Sequence, residues 1–477
     1  MTRRTKIIAT IGPASDSESV LKDMISAGMD VARIGLAHQG LDAALDRFHR
    51  IRAAAASLDR DIGILVDLPG PKIRAGAFPE EGVILVDGDV LRMVPGNDAS
   101  TASVVHVGYD GLLTDVHAGD TLGFGDGAVS VEVTGVEGDA LVTRVMHGGI
   151  VMGRPGVHIP SDRLRISTPT PSDLQMLDAF VDAGVDMVAI SFVRSAHDVR
   201  RAGVEPHPRG PLVVAKIETR AAVDNLEGII AASGGVMVAR GDLGVELPME
   251  DLPHLQKAII RRCIALGRPV ITATQMLESM VHAATPTRAE ASDIANAVFD
   301  GTSSVMLSGE TAVGHDPVSA VATMGRIAAR ADENFDYHGW AGHLADISLK
   351  ISEDAPAAVS DAMTLAAWRA AHETGAKAIV CLTRTGFTVR SIARLRPESP
   401  IIAFSPDQRA VRQLSLSWGV EAHLIEQLPT DAMVDRALEL GRLRGDLRAG
   451  DLVAFLSGSA NHQGLATDTL RLMRVPS

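Results

Sequence analysis

The chain has 477 residues, which predicts more than one domain, because single hydrophobic cores stop growing at about 250–300 residues. Its net charge of −14 excludes a general binder of nucleic acids or anionic membranes. Its two cysteines, Cys263 and Cys381, are too few for a disulfide framework and indicate buried free thiols in a reducing compartment. No secretory signal pattern and no apolar run of about 18 residues occurs, so we expect a cytoplasmic protein.

The first part of the chain alternates strands with helices. Buried strands are predicted over residues 6–12, 31–36 and 62–68, and helices over 17–26 and 41–58. From about residue 75 to 162 the helical periodicity gives way to short alternating strands separated by Asp-Gly and Gly-Gly turns. This texture predicts a small all-β domain inserted after the third strand.

The strand and helix alternation then resumes. Five further strands are predicted over residues 187–193, 213–217, 236–239, 270–273 and 304–308. Eight such strands with helices between them predict a (β/α)8 TIM barrel, and a later alternation predicts a C-terminal α/β domain with a mostly parallel sheet. The predicted domains are a catalytic barrel (1–74 and 163–338), a β-barrel lid (75–162) and a C-terminal domain (339–477).

Reactive side chains follow the central strands of the predicted barrel, where catalytic groups of TIM barrels lie. Lys216 and Glu218 are two residues apart on a strand and share a face, and Asp242 ends the next strand. Two carboxylates from adjacent strand ends suit a hard divalent cation such as Mg²⁺. Lys216 supplies positive charge for a transferring phosphoryl group. The alternative is a structural ion pair between Lys216 and either carboxylate.

Two neighbouring features are less specific. Residues 241–244, with the sequence GDLG, offer unhindered backbone N–H groups to a carboxylate or phosphate, or form only a tight turn. The Thr274 hydroxyl ends another strand, where it could equally be a cap or a satisfied core group.

Four cationic or titratable side chains follow the second and third strands: Arg33, His38, Lys72 and Arg74. A single loop cation is usually solvated, but these strand ends are neighbours at the mouth of a barrel. Their convergence indicates an anionic, polyphosphate-like ligand between the barrel and the β-domain.

Several long motifs, in order along nearly the whole chain, resemble those of the pyruvate kinase family. They occupy residues 3–6 (RRTK), 10–15 (TIGPAS), 215–218 (AKIE), 237–244 (MVARGDLG), 273–280 (ATQMLESM), 286–290 (PTRAE) and 306–312 (MLSGETA). The resemblance implies the same barrel, lid and C-terminal domain, and transfer of a phosphoryl group from phosphoenolpyruvate to ADP, the last step of glycolysis. It also implies a homotetramer, which no residue pattern establishes.

The resemblance further implies roles for individual residues. Glu218 and Asp242 would hold the divalent cation, Mg²⁺ or alternatively Mn²⁺, and Lys216 would stabilise the phosphoryl group in flight. The backbone at Gly241 and Asp242, with Thr274, would receive the substrate carboxylate. Thr274 would also help to deliver a proton to the enolate carbon.

The phosphate-binding roles fall on the cations of the second and third strands. The resemblance implies that Arg33 binds the substrate phosphate and takes part in catalysis. Arg74 would bind the nucleotide, and His38 and Lys72 are assigned to the same nucleotide side.

Some positions depart from the family pattern. The family usually carries a monovalent-cation-binding Asn and Ser where this chain has Gly35 and Ala37. Leu68 and Lys72 resemble the potassium-independent subgroup, in which a fixed ammonium can replace K⁺, so no K⁺ requirement is expected. Ser172 stands where the family tends to place a nucleotide-contacting lysine, which leaves the nucleotide preference open.

A loop in the C-terminal domain is similar to the family's sugar-phosphate effector loop. It follows a strand and precedes a helix, where backbone N–H groups and hydroxyls can hold a phosphate. The candidate residues are Thr383, Arg384, Thr385, Gly386 and Thr388. An ordinary capped turn explains the same pattern, and the sequence does not identify a sugar-phosphate or nucleotide effector.

Two other functions compete with the phosphotransferase. A Mg²⁺-enolate aldolase or lyase would use the same carboxylates, but the lid domain and the cations Lys72 and Arg74 count against it. A catalytically weak, effector-sensing relative is supported only by Gly35, Ala37 and Ser172.

Overall fold

The computed structural model describes residues 3–37, 39–125, 127, 129–337, 339–340, 343–344, 355–458 and 467–476. Eight parallel strands close into a barrel, in the spatial order first, eighth, seventh, sixth, fifth, fourth, third and second. The barrel begins with β1 (Lys6–Thr10), β2 (Val31–Gly35) and β3 (Gly63–Leu68). The predicted fold class is therefore confirmed.

The inserted domain follows β3. Its strands are β4 (Val83–Leu85), β5 (Val90–Pro95), β6 (Val104–Val107), β7 (Thr121–Phe124), β8 (Val129–Glu137), β9 (Ala140–His147), β10 (Gly149–Val151) and β11 (Val157–His158). Six of them form a mainly antiparallel sheet and β4 pairs with β10. A separate apolar cluster, which includes Leu91, Val105 and Leu122, gives this domain its own core.

The barrel is completed by β12 (Met187–Ile190), β13 (Leu212–Ile217), β14 (Gly235–Ala239), β15 (Val270–Ala273) and β16 (Ser304–Leu307). The helices up to this domain's end are α1 (Glu18–Ala27), α2 (Leu41–Ser57), α3 (Leu112–Asp115), α4 (Pro171–Asp182), α5 (Ala196–Arg200), α6 (Arg220–Asp224), α7 (Leu226–Ala232), α8 (Arg240–Glu246), α9 (Leu252–Ala265), α10 (Arg288–Asp300), α11 (Gly309–Ala312) and α12 (Pro317–Glu333).

Local sequence signals explain where the first helix begins and ends. The Ser17 hydroxyl accepts a hydrogen bond from the Val20 N–H at 3.4 Å, which satisfies one free donor of the first turn. Gly28 ends the helix at φ +113°, a left-handed conformation that favours glycine. The sequence pattern predicts this helix over residues 17–26, close to the observed bounds.

The C-terminal domain holds α13 (Ala355–Thr374), β17 (Ala378–Leu382), α14 (Phe387–Ala393), β18 (Ile401–Ser405), α15 (Gln408–Leu414), β19 (Val420–Leu424), α16 (Thr430–Arg444), β20 (Leu452–Ser457) and β21 (Thr469–Arg474). Its sheet is parallel except for β21. The sequence prediction missed β19 and β21, because both edge strands are partly exposed and carry no continuous apolar run.

The barrel interior is filled by its own side chains, and the C-terminal domain packs against one end of it. Inward-facing side chains such as Ile8, Leu65, Met237 and Ile271 form one buried cluster, and Leu416 of the C-terminal domain joins it. The Ser304 hydroxyl donates to the Leu416 carbonyl at 3.0 Å. The lower end of the barrel is thereby closed, and the carboxyl ends of its strands form the open mouth.

Two smaller expectations can be compared with the structure. Cys263 and Cys381 are free and buried as predicted, and burial raises the pKa of the Cys381 thiol to about 12. Within the described parts of the chain, no helix combines the length and apolar character that crossing a bilayer requires. The domain boundaries at residues 74, 162 and 338 stay a prediction.

Candidate active site

Lys216 lies near the end of β13 and points into the barrel mouth, where it is almost completely buried. Its ammonium donates to the Ser191 hydroxyl at 2.7 Å and to the Asp67 carboxylate at 3.2 Å. Glu218 lies 2.8 Å away on the other side. Although burial opposes the charged form, Asp67 and Glu218 raise the pKa of Lys216, so the ammonium stays charged.

Arg33, in the middle of β2, is held by side chains of the two neighbouring strands. Its Nε donates to Asp67 at 2.8 Å, and its Nη1 donates to the Thr10 hydroxyl at 2.9 Å. Burial alone would raise the pKa of Asp67, but Lys216 and Arg33 hold it below its ordinary value. Asp67 thus joins two of the predicted catalytic residues, although the sequence gave it no role.

Ser191 was also missed by the sequence prediction. It is buried just after β12, and its hydroxyl donates to the Leu68 carbonyl at 2.7 Å while it accepts from Lys216. A serine at a strand end has no distinctive spacing signal, so only the three-dimensional structure reveals this contact.

Asp242 lies close enough to Glu218 for its negative charge to act on the Glu218 carboxyl. Glu218 is almost fully buried, and its Oε2 accepts from the Phe192 N–H at 2.6 Å. Oε1 is close to Lys216 but accepts no hydrogen bond of good geometry from any described residue. Burial raises the pKa of Glu218 more than Lys216 lowers it, and the negative charge of Asp242 raises it further.

These carboxylates fit a divalent cation. A buried carboxylate beside a second, exposed carboxylate is a costly arrangement that a divalent cation relieves. The alternative prediction of an ion pair between Lys216 and Glu218 is also correct as geometry. The ion pair and a bound divalent cation do not exclude each other, because a carboxylate oxygen such as Oε1 can contact both Lys216 and a metal ion.

Thr274 and Gly241 meet across two strand ends. The Gly241 N–H, in the first turn of α8, donates to the Thr274 hydroxyl at 2.9 Å. The predicted GDLG turn is therefore the beginning of a helix that follows β14 directly. The first N–H groups of a helix lack intrahelical partners, and here the Thr274 hydroxyl accepts from that of Gly241.

The backbone at Thr274 is strained. Thr274 and Gln275 have φ values of +64° and +54°, a region that β-branched residues rarely adopt. Arg240 holds this segment, donating to the carbonyls of Ala273 and Thr274 at 3.2 and 2.6 Å and pairing with Asp293 at 2.6 Å. Arg240 is a positioning residue that the sequence prediction quoted within a motif but left without a role.

Lys72 and Arg74 line a cleft of about 270 Å³ between barrel and inserted domain, which Asp242 and Glu246 also border. Arg74 donates to the Arg154 carbonyl at 3.1 Å, and partial desolvation, followed by the charge of Arg74, lowers the pKa of Lys72. Larger concavities lie elsewhere on the chain but lack this set of acids and cations. The predicted nucleotide residue His38 lies outside the described residues.

Comparison with known proteins agrees with this geometry. Residues 2–321 match the family model described as "Pyruvate kinase, barrel domain", and residues 361–473 match "Pyruvate kinase, alpha/beta domain". The chain belongs to the pyruvate kinase family. Members of this family are phosphotransferases that generally use a divalent metal ion.

Individual pyruvate kinases are similar to nearly the whole of this chain. The chain is 40% identical to that of Bacillus licheniformis, covering 99% of this chain and 80% of the relative. It is 38% identical to that of Mycobacterium tuberculosis (strain ATCC 25618 / H37Rv), covering 100% and 99%. The pyruvate kinase of Clostridium acetobutylicum is 36% identical, with 99% and 100% covered.

The departures from the pyruvate kinase pattern cluster around Asp67. Gly35 and Ala37 offer no side-chain oxygen, and Leu68 is fully buried and apolar. Both oxygens of Asp67 already contact cations, Lys216 and Arg33. Ser172 is exposed in the first turn of α4, away from any described partner.

The predicted effector loop satisfies part of its own hydrogen-bonding capacity. Its Gly386 N–H donates to the Thr383 hydroxyl at 2.9 Å, and the Phe387 N–H donates to Thr385 at 3.3 Å. Thr388 bonds the Thr467 hydroxyl, whereas Arg384 is exposed. These contacts suit the capped-turn alternative, and effector binding stays a prediction.

The stabilisation of the strained segment at Thr274 and Gln275 by Arg240 can be tested without substrate. Arg240→Lys replaces a guanidinium group that donates to several carbonyls by a single ammonium group. Amide hydrogen exchange over residues 274–278 should therefore become about tenfold faster, which corresponds to the loss of about one hydrogen bond. Arg261→Lys, an exposed change on α9, is the matched control. Unchanged exchange in Arg240→Lys would show that the segment holds its shape alone.

Proposed function

We propose that this chain transfers the phosphoryl group of phosphoenolpyruvate to ADP, giving pyruvate and ATP. The observation that carries the proposal is the grouping of Lys216, Glu218, Asp242 and Thr274 at one mouth of the barrel, with Arg33 joined to Lys216 through Asp67. Membership of the pyruvate kinase family supports it. Measuring pyruvate formation with phosphoenolpyruvate, ADP and Mg²⁺ tests it, because an aldolase, a lyase or a non-catalytic sensor would give no ADP-dependent pyruvate.

Substrate binding would use fixed charges. Arg33 is oriented by Asp67 and Thr10, so it can meet the substrate phosphate without reorganisation. The first-turn N–H groups of α8 at Gly241 and Asp242, with the Thr274 hydroxyl, would receive the carboxylate. This arrangement would align the substrate between Lys216 and the lid.

In the reaction, the bond between phosphorus and the enol oxygen breaks, and phosphorus forms a bond to a terminal phosphate oxygen of ADP. Lys216 would stabilise the charge on the transferring group, since its ammonium is already desolvated and fixed. The enolate then takes a proton at C3, and Thr274 would help to deliver it.

The divalent cation, Mg²⁺ with Mn²⁺ as the alternative, would be held by Glu218 and Asp242. When bound, it would supply positive charge to the phosphate and enolate oxygens. It would also give the Oε1 of Glu218 a second cationic partner besides Lys216.

The nucleotide would lie in the cleft between barrel and inserted domain. Arg74 and Lys72 line this cleft, and His38 is assigned to the same side. Glu246 links the two domains there, accepting from the Ser161 N–H and hydroxyl at 2.9 and 2.8 Å.

We further propose a cytoplasmic homotetramer. Size-exclusion chromatography with light scattering tests the oligomeric state.

Lys216→Met should keep the fold but lose phosphoryl transfer by on the order of 10³-fold, because a fixed charge at the transferring group is removed. Proton exchange at C3 of pyruvate, followed by NMR in deuterium oxide, should survive, since Thr274 and the carboxylates remain. Near-normal turnover in Lys216→Met would contradict the assigned role.

Gly241→Ala separates a substrate-binding role from a structural one. A Cβ at Gly241 would meet only Thr274, at 3.6 Å, so the fold tolerates it, and alanine favours a helix by about 0.5–1 kcal/mol. Thermal stability should therefore hold or rise, while the KM for phosphoenolpyruvate increases about tenfold or more through lost access to the first-turn N–H groups. Gly228→Ala on α7, which meets only Ala196 at 3.8 Å, is the control, and an unchanged KM in Gly241→Ala would refute the role.

The enzyme should not require a monovalent cation. Positions 35, 37 and 68 lack side-chain oxygens, and Lys72 carries a fixed charge nearby. The steady-state rate should change less than about twofold when KCl replaces tetramethylammonium chloride. The ionic strength is held constant so that charge screening is the same in both salts. Strong activation by K⁺ would contradict this account.

A further inference from the structure

Four arginines gather where the barrel meets the C-terminal domain, far from the barrel mouth. Arg268 lies between α9 and β15, Arg390 lies on α14, and Arg394 and Arg396 follow α14. All four line a single cavity of about 20 Å³, together with Ser417. Arg390 and Arg396 are 95% and 97% buried, which is unusual for guanidinium groups.

The acids in this cluster do not balance its cations. Asp361 pairs with Arg394 at 2.8 Å, both side chains being more than nine-tenths buried. Arg390 Nη2 donates to the Thr385 carbonyl at 2.7 Å, which satisfies an N–H group but not the charge. Arg268 forms no salt bridge with any described residue.

Arg396 differs from the other three, because aromatic rings cover its guanidinium. The ring centroids of Trp418 and Phe335 lie 4.7 and 5.1 Å from its central carbon. Cation–π contacts therefore compensate part of its charge. Arg394 is paired with Asp361. The positive charges of Arg268 and Arg390 are therefore the ones that no described acid balances.

Buried donors in the cluster also lack partners. Arg268 Nε, Arg390 Nη1, Arg394 Nε and the Ser417 hydroxyl are buried, and none forms a hydrogen bond with a described residue. Burial and the neighbouring Arg268 lower the pKa of Arg390 to about 9. Burial, Arg390 and Arg268 likewise lower the pKa of His207 to about 3, so this neighbour adds no further charge at neutral pH.

The size of the cavity restricts what can fill it. A cavity of about 20 Å³ holds about one water-sized particle, since one such particle needs roughly 10–15 Å³. A phosphate or sugar phosphate is too large. A water molecule would satisfy N–H groups but would leave buried positive charge uncompensated, which is the larger cost.

We propose that this cavity binds one small inorganic anion of the halide class, chloride under ordinary conditions, between Arg268, Arg390 and Arg394. The anion accepts from the unpaired N–H groups and neutralises the joint between barrel and C-terminal domain. Because Arg390 also holds the Thr385 carbonyl, the bound anion fixes the base of the loop at residues 383–388. The inference does not depend on the proposed catalytic function.

Thermal unfolding of the full-length protein tests the proposal. Sodium chloride is titrated against sodium gluconate at constant ionic strength, because gluconate is too large for the cavity. The Tm should rise in a saturating way by about 2 °C, and bromide should reproduce the rise. No chloride dependence would overturn the proposal.

A matched pair of variants assigns the effect to the cavity. Arg390→Met removes a charge with little change in volume, so the Tm of this variant should no longer depend on chloride. In gluconate, the Tm of the variant should not fall below that of the wild-type protein. Arg261→Met, an exposed change on α9, should retain the dependence. An equal chloride effect in Arg390→Met would show general salt stabilisation and would reject the site.

A crystallographic measurement keeps the proposal testable if Arg390→Met fails to fold. Crystals of the wild-type protein grown in sodium bromide should show an anomalous bromine peak among Arg268, Arg390 and Arg394. A water molecule without anomalous signal at that position would overturn the proposal.

Discussion

The Asp67 carboxylate is the constraint on which the rest of the site depends. It is buried at the end of β3, and each of its oxygens contacts a different cation, Arg33 from β2 and Lys216 from β13. Long cationic side chains normally lose much rotamer entropy when they are fixed. Asp67 imposes that order before any substrate arrives, so the two positive charges are already placed where phosphate charge must be stabilised.

A second constraint is backbone strain at the same ends of the strands. Phe192, Thr274 and Gln275 have positive φ values, and each lies within two residues of the end of a barrel strand. Their strain is compensated by polar contacts, since Phe192 N–H donates to Glu218 and Arg240 holds the carbonyl of Thr274. The strained backbone aims a donor at the Glu218 carboxylate and a hydroxyl at the first turn of α8.

Charge is segregated within the molecule. At the mouth, acids and cations alternate, and the surplus negative charge of Glu218 and Asp242 suits a divalent cation. At the opposite joint, guanidinium groups predominate and an anion is required instead. In both places, the side chains leave a net charge that a bound small ion would balance.

Much of the fold followed from the sequence, because buried parallel strands such as β3 and β14 are continuous apolar runs with clear ends. The edge strands β19 and β21 were missed since exposure breaks that pattern. Within the site, Lys216, Glu218 and Asp242 were found because charged residues interrupt or end those runs.

Asp67, Ser191 and Arg240 received no role from the sequence, because their importance lies in contacts between strands far apart in the chain. Lys216 contacts Asp67 across 149 positions of sequence, and Arg240 reaches Thr274 across 34. No local spacing encodes such pairs, nor does any local pattern specify the left-handed conformation of a threonine.

The most direct test of the central claim is a double-mutant cycle on Asp67→Asn and Arg33→Lys, with kcat/KM for phosphoenolpyruvate as the readout. If Asp67 acts by positioning Arg33 and Lys216, each single change should lower kcat/KM by about 100-fold, and the double variant should lose little more than either. Losses that multiply, or an Asp67→Asn enzyme within about threefold of the wild type, would contradict the account.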